Sequence, residues 1–103
     1  MKDAPPELIA DVTLYATDRG GRKGPTSSEW YGCPCMVSKD RLEGWDCRIL
    51  LRGTPLSPGE TRRLGMIFLS PDKAVPILRE AGKFYLWEGG FVGEATVVEE
   101  GKI

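Results

Sequence analysis

Hydrophobic and polar residues alternate along most of the chain with the two-residue period of β-strands. The clearest segment places Trp45, Cys47 and Ile49 on one face and Asp46 and Arg48 on the other. One face of such a strand packs in a core and the other meets solvent. Alternation or a short apolar run predicts six strands in all, at residues 11–17, 31–37, 45–52, 61–69, 83–88 and 91–99.

Prolines and a long apolar run modify this pattern. Pro34 lies inside the second strand and cannot donate a ladder hydrogen bond, which predicts a sheet edge or a bulge there. The fourth strand is apolar on both faces over residues 64–69, which is typical of a strand covered on both sides. Ser70-Pro71-Asp72 then starts a helix, but Pro76 limits it to one or two turns, closed by Gly82.

Short strands, frequent turn signals and almost no helix predict an all-β fold. We expect six antiparallel strands to close into a Greek-key barrel with at most one short helical turn, because closure removes the exposed edges of so small a sheet. Residues 1–10 are predicted to be an N-terminal tail, and residues 11–103 a single barrel domain. A chain of 103 residues is long enough to bury a core without disulfides or metals.

Charge and cysteine content narrow the classes of function. The net charge of -1 gives no overall attraction to nucleic acid or to anionic membranes. No apolar run approaches the roughly 20 residues of a membrane-spanning helix, so we expect no membrane association and a cytoplasmic location. Three cysteines, an odd number, argue against a disulfide framework and suit a reducing compartment.

The residue inventory offers little for catalysis. The chain has no histidine, which excludes the Ser/His and Cys/His nucleophile pairs. Cys33, Cys35 and Cys47 are candidate zinc ligands, but a structural zinc site needs four ligands, so we expect them to pack in the core. We therefore expect no metal, no cofactor and no enzymatic activity. A small metal-dependent or hydrolytic enzyme stays as the third hypothesis, and it requires a pocket of converging carboxylates or cysteines.

Two groups of residues are candidates for binding. Trp30, Tyr31, Trp87 and Phe91 are aromatic side chains of the kind that anchor protein interfaces, so they form the predicted protein-binding site. A glycine-rich loop carries cations that suit a phosphate backbone, and it forms the alternative RNA-binding site. Its cations are Arg19, Arg22 and Lys23.

Three motifs follow one another in a characteristic order. They are Arg-Gly-Gly-Arg-Lys-Gly-Pro at 19–25, Leu-Ser-Pro-Gly-Glu at 56–60 and Phe-Tyr-Leu-Trp-Glu-Gly-Gly-Phe-Val-Gly at 84–93. From about Asp11 to Val98 this order resembles the third, C-terminal β-barrel domain of elongation factor Tu. The resemblance implies a barrel that, in that family, helps to grip the T-stem of aminoacyl-tRNA and contacts an exchange factor.

The departures from that family bear on the partner. Trp87 and Phe91 stand where the family has arginines, and Lys23 where it has a histidine. Gly-x-x-x-x-Gly-Lys-Ser/Thr is absent from the sequence, so we expect neither GTP binding nor GTP hydrolysis. The leading hypothesis is a stand-alone, non-catalytic relative of this domain that binds a protein, with a role in translation; RNA binding is the alternative. The oligomeric state stays open.

Overall fold

The computed structural model describes residues 5–40 and 43–98. These residues form six strands, one α-helix and one short 3-10 helix at Thr17–Arg19. The strands are β1 (Leu8–Leu14), β2 (Trp30–Met36), β3 (Gly44–Leu50), β4 (Thr61–Phe68), β5 (Lys83–Trp87) and β6 (Phe91–Val97), and the helix is α1 (Pro71–Ala81). Residues 1–4 of the predicted tail and residues 99–103 of the predicted barrel domain lie outside the described residues.

The six strands form one closed sheet in the order β1-β4-β3-β2-β5-β6. Every neighbouring pair is antiparallel, and β1 closes the barrel by pairing with both β4 and β6. Consecutive strands β2, β3 and β4 are neighbours, and β1 lies beside β4, which is the Greek-key order. The predicted fold class, an all-β six-stranded antiparallel barrel, is confirmed.

Alternate residues of the strands fill the barrel interior. In β1 the buried and half-buried positions alternate strictly from Leu8 to Leu14. Trp45 is partly buried and packs against this core. The fully buried side chains are Ala10, Val12, Leu14, Cys35, Ile49, Leu56, Met66, Ala74, Leu78, Phe84 and Leu86.

Strand β1 begins earlier than the sequence predicts. It starts at Leu8, inside the segment 1–10 that was predicted to be a tail, and ends at Leu14 rather than at residue 17. Leu8 is 2% exposed, because its side chain points into the barrel. Glu7 extends the contact, since its backbone N–H donates to the Met66 carbonyl (2.8 Å). Burial of these residues outweighs the extended, solvated backbone that the preceding prolines favour.

Helix α1 is longer than predicted. It runs through Pro76 to Ala81, and Gly82 then takes a left-handed conformation and donates its N–H to the Leu78 carbonyl (3.0 Å). The prediction that Pro76 limits the helix to one or two turns was wrong, because proline removes a single hydrogen bond while Ala74 and Leu78 are fully buried against the barrel. Among residues 5–40 and 43–98, no helix has the length and apolar character needed to cross a bilayer.

The sequence predicted that Pro34 lies on an edge strand or in a bulge, and this prediction was wrong. Strand β2 has neighbours on both sides, and its register with β3 is continuous through the pair Pro34–Asp46. The Asp46 carbonyl accepts the N–H of Leu69, so the backbone of Asp46 faces β4 and makes no ladder bond to Pro34. The β2–β5 pairing comprises Cys35 and Met36, and so it begins after Pro34. The missing N–H therefore interrupts neither ladder.

The long connection between β1 and β2 is pinned at two points. Gly21 donates its N–H to the Ala16 carbonyl (3.1 Å). Thr26, the buried polar residue of this segment, donates its N–H to the Leu56 carbonyl (2.9 Å), and its hydroxyl accepts the Leu56 N–H (3.0 Å). The predicted surface loop is therefore fixed against the barrel at its start and near its end.

Substitution of Gly21 by alanine should destabilise the fold. A Cβ at this position would lie 1.9 Å from the Tyr15 carbonyl oxygen, and backbone atoms cannot move away cheaply. We expect Gly21→Ala to lower the free energy of unfolding by at least about 2 kcal/mol, measured by urea denaturation. Gly24→Ala is the matched control, since a Cβ there meets nothing within 4 Å; we expect a change within about 0.5 kcal/mol. Equal stabilities of the two variants would contradict the close approach.

Candidate functional site

A groove crosses the outer face of β2, β3 and β4. Its volume is about 540 Å³, and apolar side chains form most of its walls. The strand register arranges the outward-facing residues in and beside this groove in three rows, each with one position from each strand. The rows are Trp30–Leu50–Gly65, Gly32–Arg48–Ile67 and Pro34–Asp46–Leu69. We call this feature the outer groove.

Trp30 forms the wall of the outer groove on β2. Its ring lies along the strand over Gly32, where a Cβ would come within 3.1 Å of the ring atom Cζ3. The Arg48 guanidinium stacks on the same ring, 4.4 Å from its centroid. Trp30 remains 38% exposed. Glycine at 32 and the stacked arginine thus hold a large aromatic ring flat and accessible on the barrel wall.

Strand β4 forms the opposite wall. Ile67 is half-buried, and Leu69, directly after β4, is 79% exposed. The prediction that this strand is covered on both faces was wrong, because a single closed sheet has only one interior face. Leu64, Met66 and Phe68 point inwards, so the alternate positions point out. The Leu69 N–H donates to the Asp46 carbonyl (3.0 Å), which fixes this wall against β3.

The first row closes one end of the outer groove. Leu50 lies on the outer face of β3, yet it is 2% exposed, and its neighbours across the strands are Trp30 and Gly65. Pro6 packs on Gly65 so closely that a Cβ at 65 would lie 2.5 Å from the Pro6 ring. The polar members, Asp46 and Arg48, are exposed on β3. Apolar walls with charged groups among them match the composition of protein interfaces.

The four aromatic residues predicted to bind a partner occupy three places. Trp30 lines the outer groove. Tyr31 is 7% exposed and belongs to the core, which removes it from the predicted surface. Its hydroxyl donates to Glu88. Burial, and to a smaller extent this hydrogen bond, raises the pKa of the phenol. Trp87 and Phe91 are half-buried and meet edge to face with ring centroids 5.0 Å apart.

The predicted RNA-binding loop uses one of its three cations internally. Arg22 forms an ion pair with Glu88 (2.5 Å) and places its guanidinium over the Tyr31 ring, 5.0 Å from the centroid. It also donates to the carbonyls of Gly24 and Pro25 (3.3 Å each). Arg22 therefore ties the loop to the barrel and has few donors left for a phosphate. Arg19 and Lys23 are exposed.

The three cysteines meet inside the barrel. Cys33 lies opposite Cys47 in the register, and the thiol of Cys35 donates to the sulfur of Cys47 (2.9 Å). Burial raises the pKa of Cys35 and of Cys47, which keeps both as neutral thiols. In residues 5–40 and 43–98, no group of three or more His, Cys, Asp or Glu side chains is arranged to hold a metal ion. The bonds from Cys35 and Cys47 lower the pKa of Cys33 instead, and all three side chains belong to the hydrophobic core.

Sequence reasoning missed Ile67 and Leu69 as surface residues. The signal was present, because the fourth strand carries apolar residues on both faces while the predicted barrel can bury only one. Leu50 gave the same signal, as the apolar break in the polar face of the third strand. Taken together, these three positions mark an apolar patch on the outside of the barrel.

Removal of Arg22 should cost stability, in contrast to removal of its neighbours. We expect Arg22→Ala to lower the free energy of unfolding by about 1–3 kcal/mol, because Glu88 and the loop carbonyls lose their partner in a partly buried place. Arg19→Ala and Lys23→Ala, at exposed positions, should each stay within about 0.5 kcal/mol of the parent. Urea denaturation followed by circular dichroism measures all three. An equally small effect of Arg22→Ala would refute its anchoring role.

Comparison with known proteins adds no further clue to the site. No protein-family model matches the chain, and no curated protein matches it in sequence. The side chains of the outer groove and their surroundings are therefore the basis for inferring a function.

Proposed function

We propose that this barrel is a non-catalytic module that binds a protein partner through the outer groove. The observation that carries the proposal is the pair of facing apolar walls, with Trp30 held flat by Arg48 on one side and Leu69 79% exposed on the other. Exposed apolar surface that is contiguous and set among polar groups is a feature of interaction sites. A partner that inserts one or two apolar side chains between the walls would fit.

Burial of these walls would contribute favourable free energy to binding. Covering an exposed leucine contributes about 1.5–3 kcal/mol, and interface tryptophans are frequent hot spots that contribute about 2 kcal/mol or more. Trp30 needs little ordering upon binding, because Gly32 and Arg48 already hold its ring in place. Such preorganisation lowers the entropy cost of association.

The charges favour a protein over RNA as the partner. The net charge is -1, and Arg22, the central cation of the glycine-rich loop, is engaged by Glu88. Affinity for nucleic acid depends on cations that neutralise phosphates, and apolar groove walls provide none. Trp87 and Phe91 replace arginines of the family that the chain resembles, which also lowers the positive charge available to an RNA.

A relationship to the third domain of elongation factor Tu remains part of the proposal. Two of the motifs that carry the resemblance meet in space, since Arg22 of the first pairs with Glu88 of the last. That ion pair holds the two motifs together on the barrel. We accordingly propose a cytoplasmic, translation-related protein as the partner, bound without GTP.

Substitutions in the outer groove should abolish capture of the partner. Trp30→Ala and Leu69→Ser each remove one wall, and Ile77→Ser is the matched control because Ile77 is an exposed apolar residue (40%) on helix α1. We expect proteins captured from native lysate by the parent to fall at least tenfold with either groove variant and to stay unchanged with the control. Quantitative mass spectrometry of the captured proteins measures this.

Thermal unfolding of each variant is the accompanying check on folding. We expect Leu69→Ser, at a largely exposed position, to stay within about 1 kcal/mol of the parent, and Trp30→Ala, which uncovers Leu50, to lose about 1–3 kcal/mol while the barrel stays folded. Capture that survives both groove substitutions, or that is lost equally in Ile77→Ser, would overturn the proposal.

RNA binding is the second candidate, and exposed Arg19 and Lys23 favour it. Lys23 borders a concavity of about 460 Å³ formed by the glycine-rich loop and the turn at 88–90. Two cations neutralise about two phosphates, so retention on RNA should be weak and should vanish at physiological salt. We expect Arg19→Ala with Lys23→Ala to leave protein capture unchanged. RNA retention that persists at physiological salt and is lost in this double variant would favour the RNA hypothesis.

A further inference from the structure

A second cluster of aromatic side chains surrounds a cation on another part of the barrel wall. The Lys39 ammonium lies over the rings of Tyr15 and Tyr85, 5.1 Å from each centroid, and over Phe91 at 5.5 Å. Each distance is within the range of a cation–π contact. Three ring faces therefore converge on one positively charged group; we call them the aromatic cage.

The walls of the aromatic cage are held by the strands. Tyr85 is on β5 and Phe91 begins β6, and their rings stand nearly perpendicular (77°) with centroids 6.1 Å apart. Tyr15 follows β1 and donates its N–H to the Val92 carbonyl (2.9 Å). Its hydroxyl donates to Glu94 (2.9 Å). Each wall is thus fixed in direction before any ligand arrives.

Glu94 supplies the negative charge of the aromatic cage. It lies opposite Tyr85 in the register, accepts from Tyr15 and forms an ion pair with Lys83 (3.1 Å). Burial alone would raise the pKa of this carboxyl, but the bonds from Lys83 and Tyr15 lower it. Burial and the bond to Glu94 raise the pKa of Tyr15 to about 12. At neutral pH the rings are therefore neutral, and Glu94 is a carboxylate paired with Lys83, whose ammonium also lies 5.7 Å from the centroid of the Tyr85 ring.

Lys39 lies in a loop, unlike the rings that surround its ammonium group. It is exposed and lies in the connection between β2 and β3, whereas the three rings belong to the ends and bodies of other strands. A lysine ammonium is strongly hydrated and loses water when rings surround it. Alkylation of an ammonium weakens its hydration, so a quaternary ammonium loses less hydration free energy when it enters the same cage.

We propose that Tyr15, Tyr85 and Phe91 form a binding site for an alkylammonium group, with Lys39 as an internal occupant that the ligand displaces. Faces of several aromatic rings beside a carboxylate are the arrangement that recognises quaternary ammonium groups. The ligand is either a small quaternary ammonium compound or a trimethylated lysine side chain, since both present the same chemistry. This site is separate from the outer groove and does not depend on the function proposed for it.

The test is a titration with tetramethylammonium chloride, with total ionic strength held constant by sodium chloride. Protons held over ring faces shift upfield in the NMR spectrum, so the ligand methyl resonance reports entry into the cage. We expect Lys39→Ala to bind with a Kd on the order of 10 mM and the parent about tenfold more weakly. Lys73→Ala, which removes an exposed lysine on α1, is the control and should match the parent.

Loss of a wall separates the cage from general binding. In the Lys39→Ala background, Phe91→Leu should remove the upfield shift, while circular dichroism verifies that the barrel is folded. If that variant unfolds, Tyr85→Leu, at a half-buried position, replaces it. An upfield shift that persists without these walls, or its absence in Lys39→Ala, would overturn the proposal.

A second arm identifies the source of the ammonium group. Two short peptides that differ only in trimethylation of one lysine are titrated against the parent and Lys39→Ala. Binding of the trimethylated peptide at least tenfold tighter than tetramethylammonium assigns the cage to modified proteins, whereas equal affinities assign it to small quaternary ammonium compounds. Equal binding of the modified and unmodified peptides, together with no effect of tetramethylammonium, would refute the inference.

Discussion

Closure of a single six-stranded sheet is the constraint on which the other features depend. Pairing of β1 with both β4 and β6 gives the sheet one inner and one outer face, and the inner face has room for every second residue of each strand. Apolar residues on the outer face must be covered by other segments or remain accessible. Pro6 and Trp30 provide cover at one end of the outer face, where Leu50 is buried. Ile67 and Leu69 lie beyond that cover, and the outer groove results.

Cationic side chains of the barrel wall form cation–π contacts with aromatic rings at three separate places. Arg48 stacks on the exposed ring of Trp30, Arg22 lies over Tyr31 while it pairs with Glu88, and Lys39 enters the aromatic cage. The second contact anchors a loop, because Tyr31 is in the core. The other two are at accessible positions, where an incoming group can share or replace the cation. This distinction separates the residues proposed to bind from those that maintain the fold.

Much of the fold could be predicted from the sequence, and less of the site. The two-residue period, with one short apolar run for the fourth strand, located all six strands, since side-chain direction in a strand is a local property of the backbone. Pro34 and Pro76 were misjudged, because the cost of a missing N–H depends on the neighbouring strand or on burial of the helix. Trp30 was identified as an accessible aromatic, whereas Tyr31, its neighbour in sequence, points into the core.

The sequence by itself determined the strand pattern and the turn positions, because both are encoded in neighbouring residues. It also showed that the chain has no histidine and no phosphate-binding loop motif. The tertiary structure alone decided which apolar residues stay outside and which cations are already engaged. Leu69 and Trp30 line the same groove only because β3 lies between their strands in the sheet. Lys39, Tyr15, Tyr85 and Phe91 come together from four parts of the chain. Contacts between distant segments depend on sheet order and on which strands pair, and the two-residue period of one strand indicates only which face of the sheet a residue occupies.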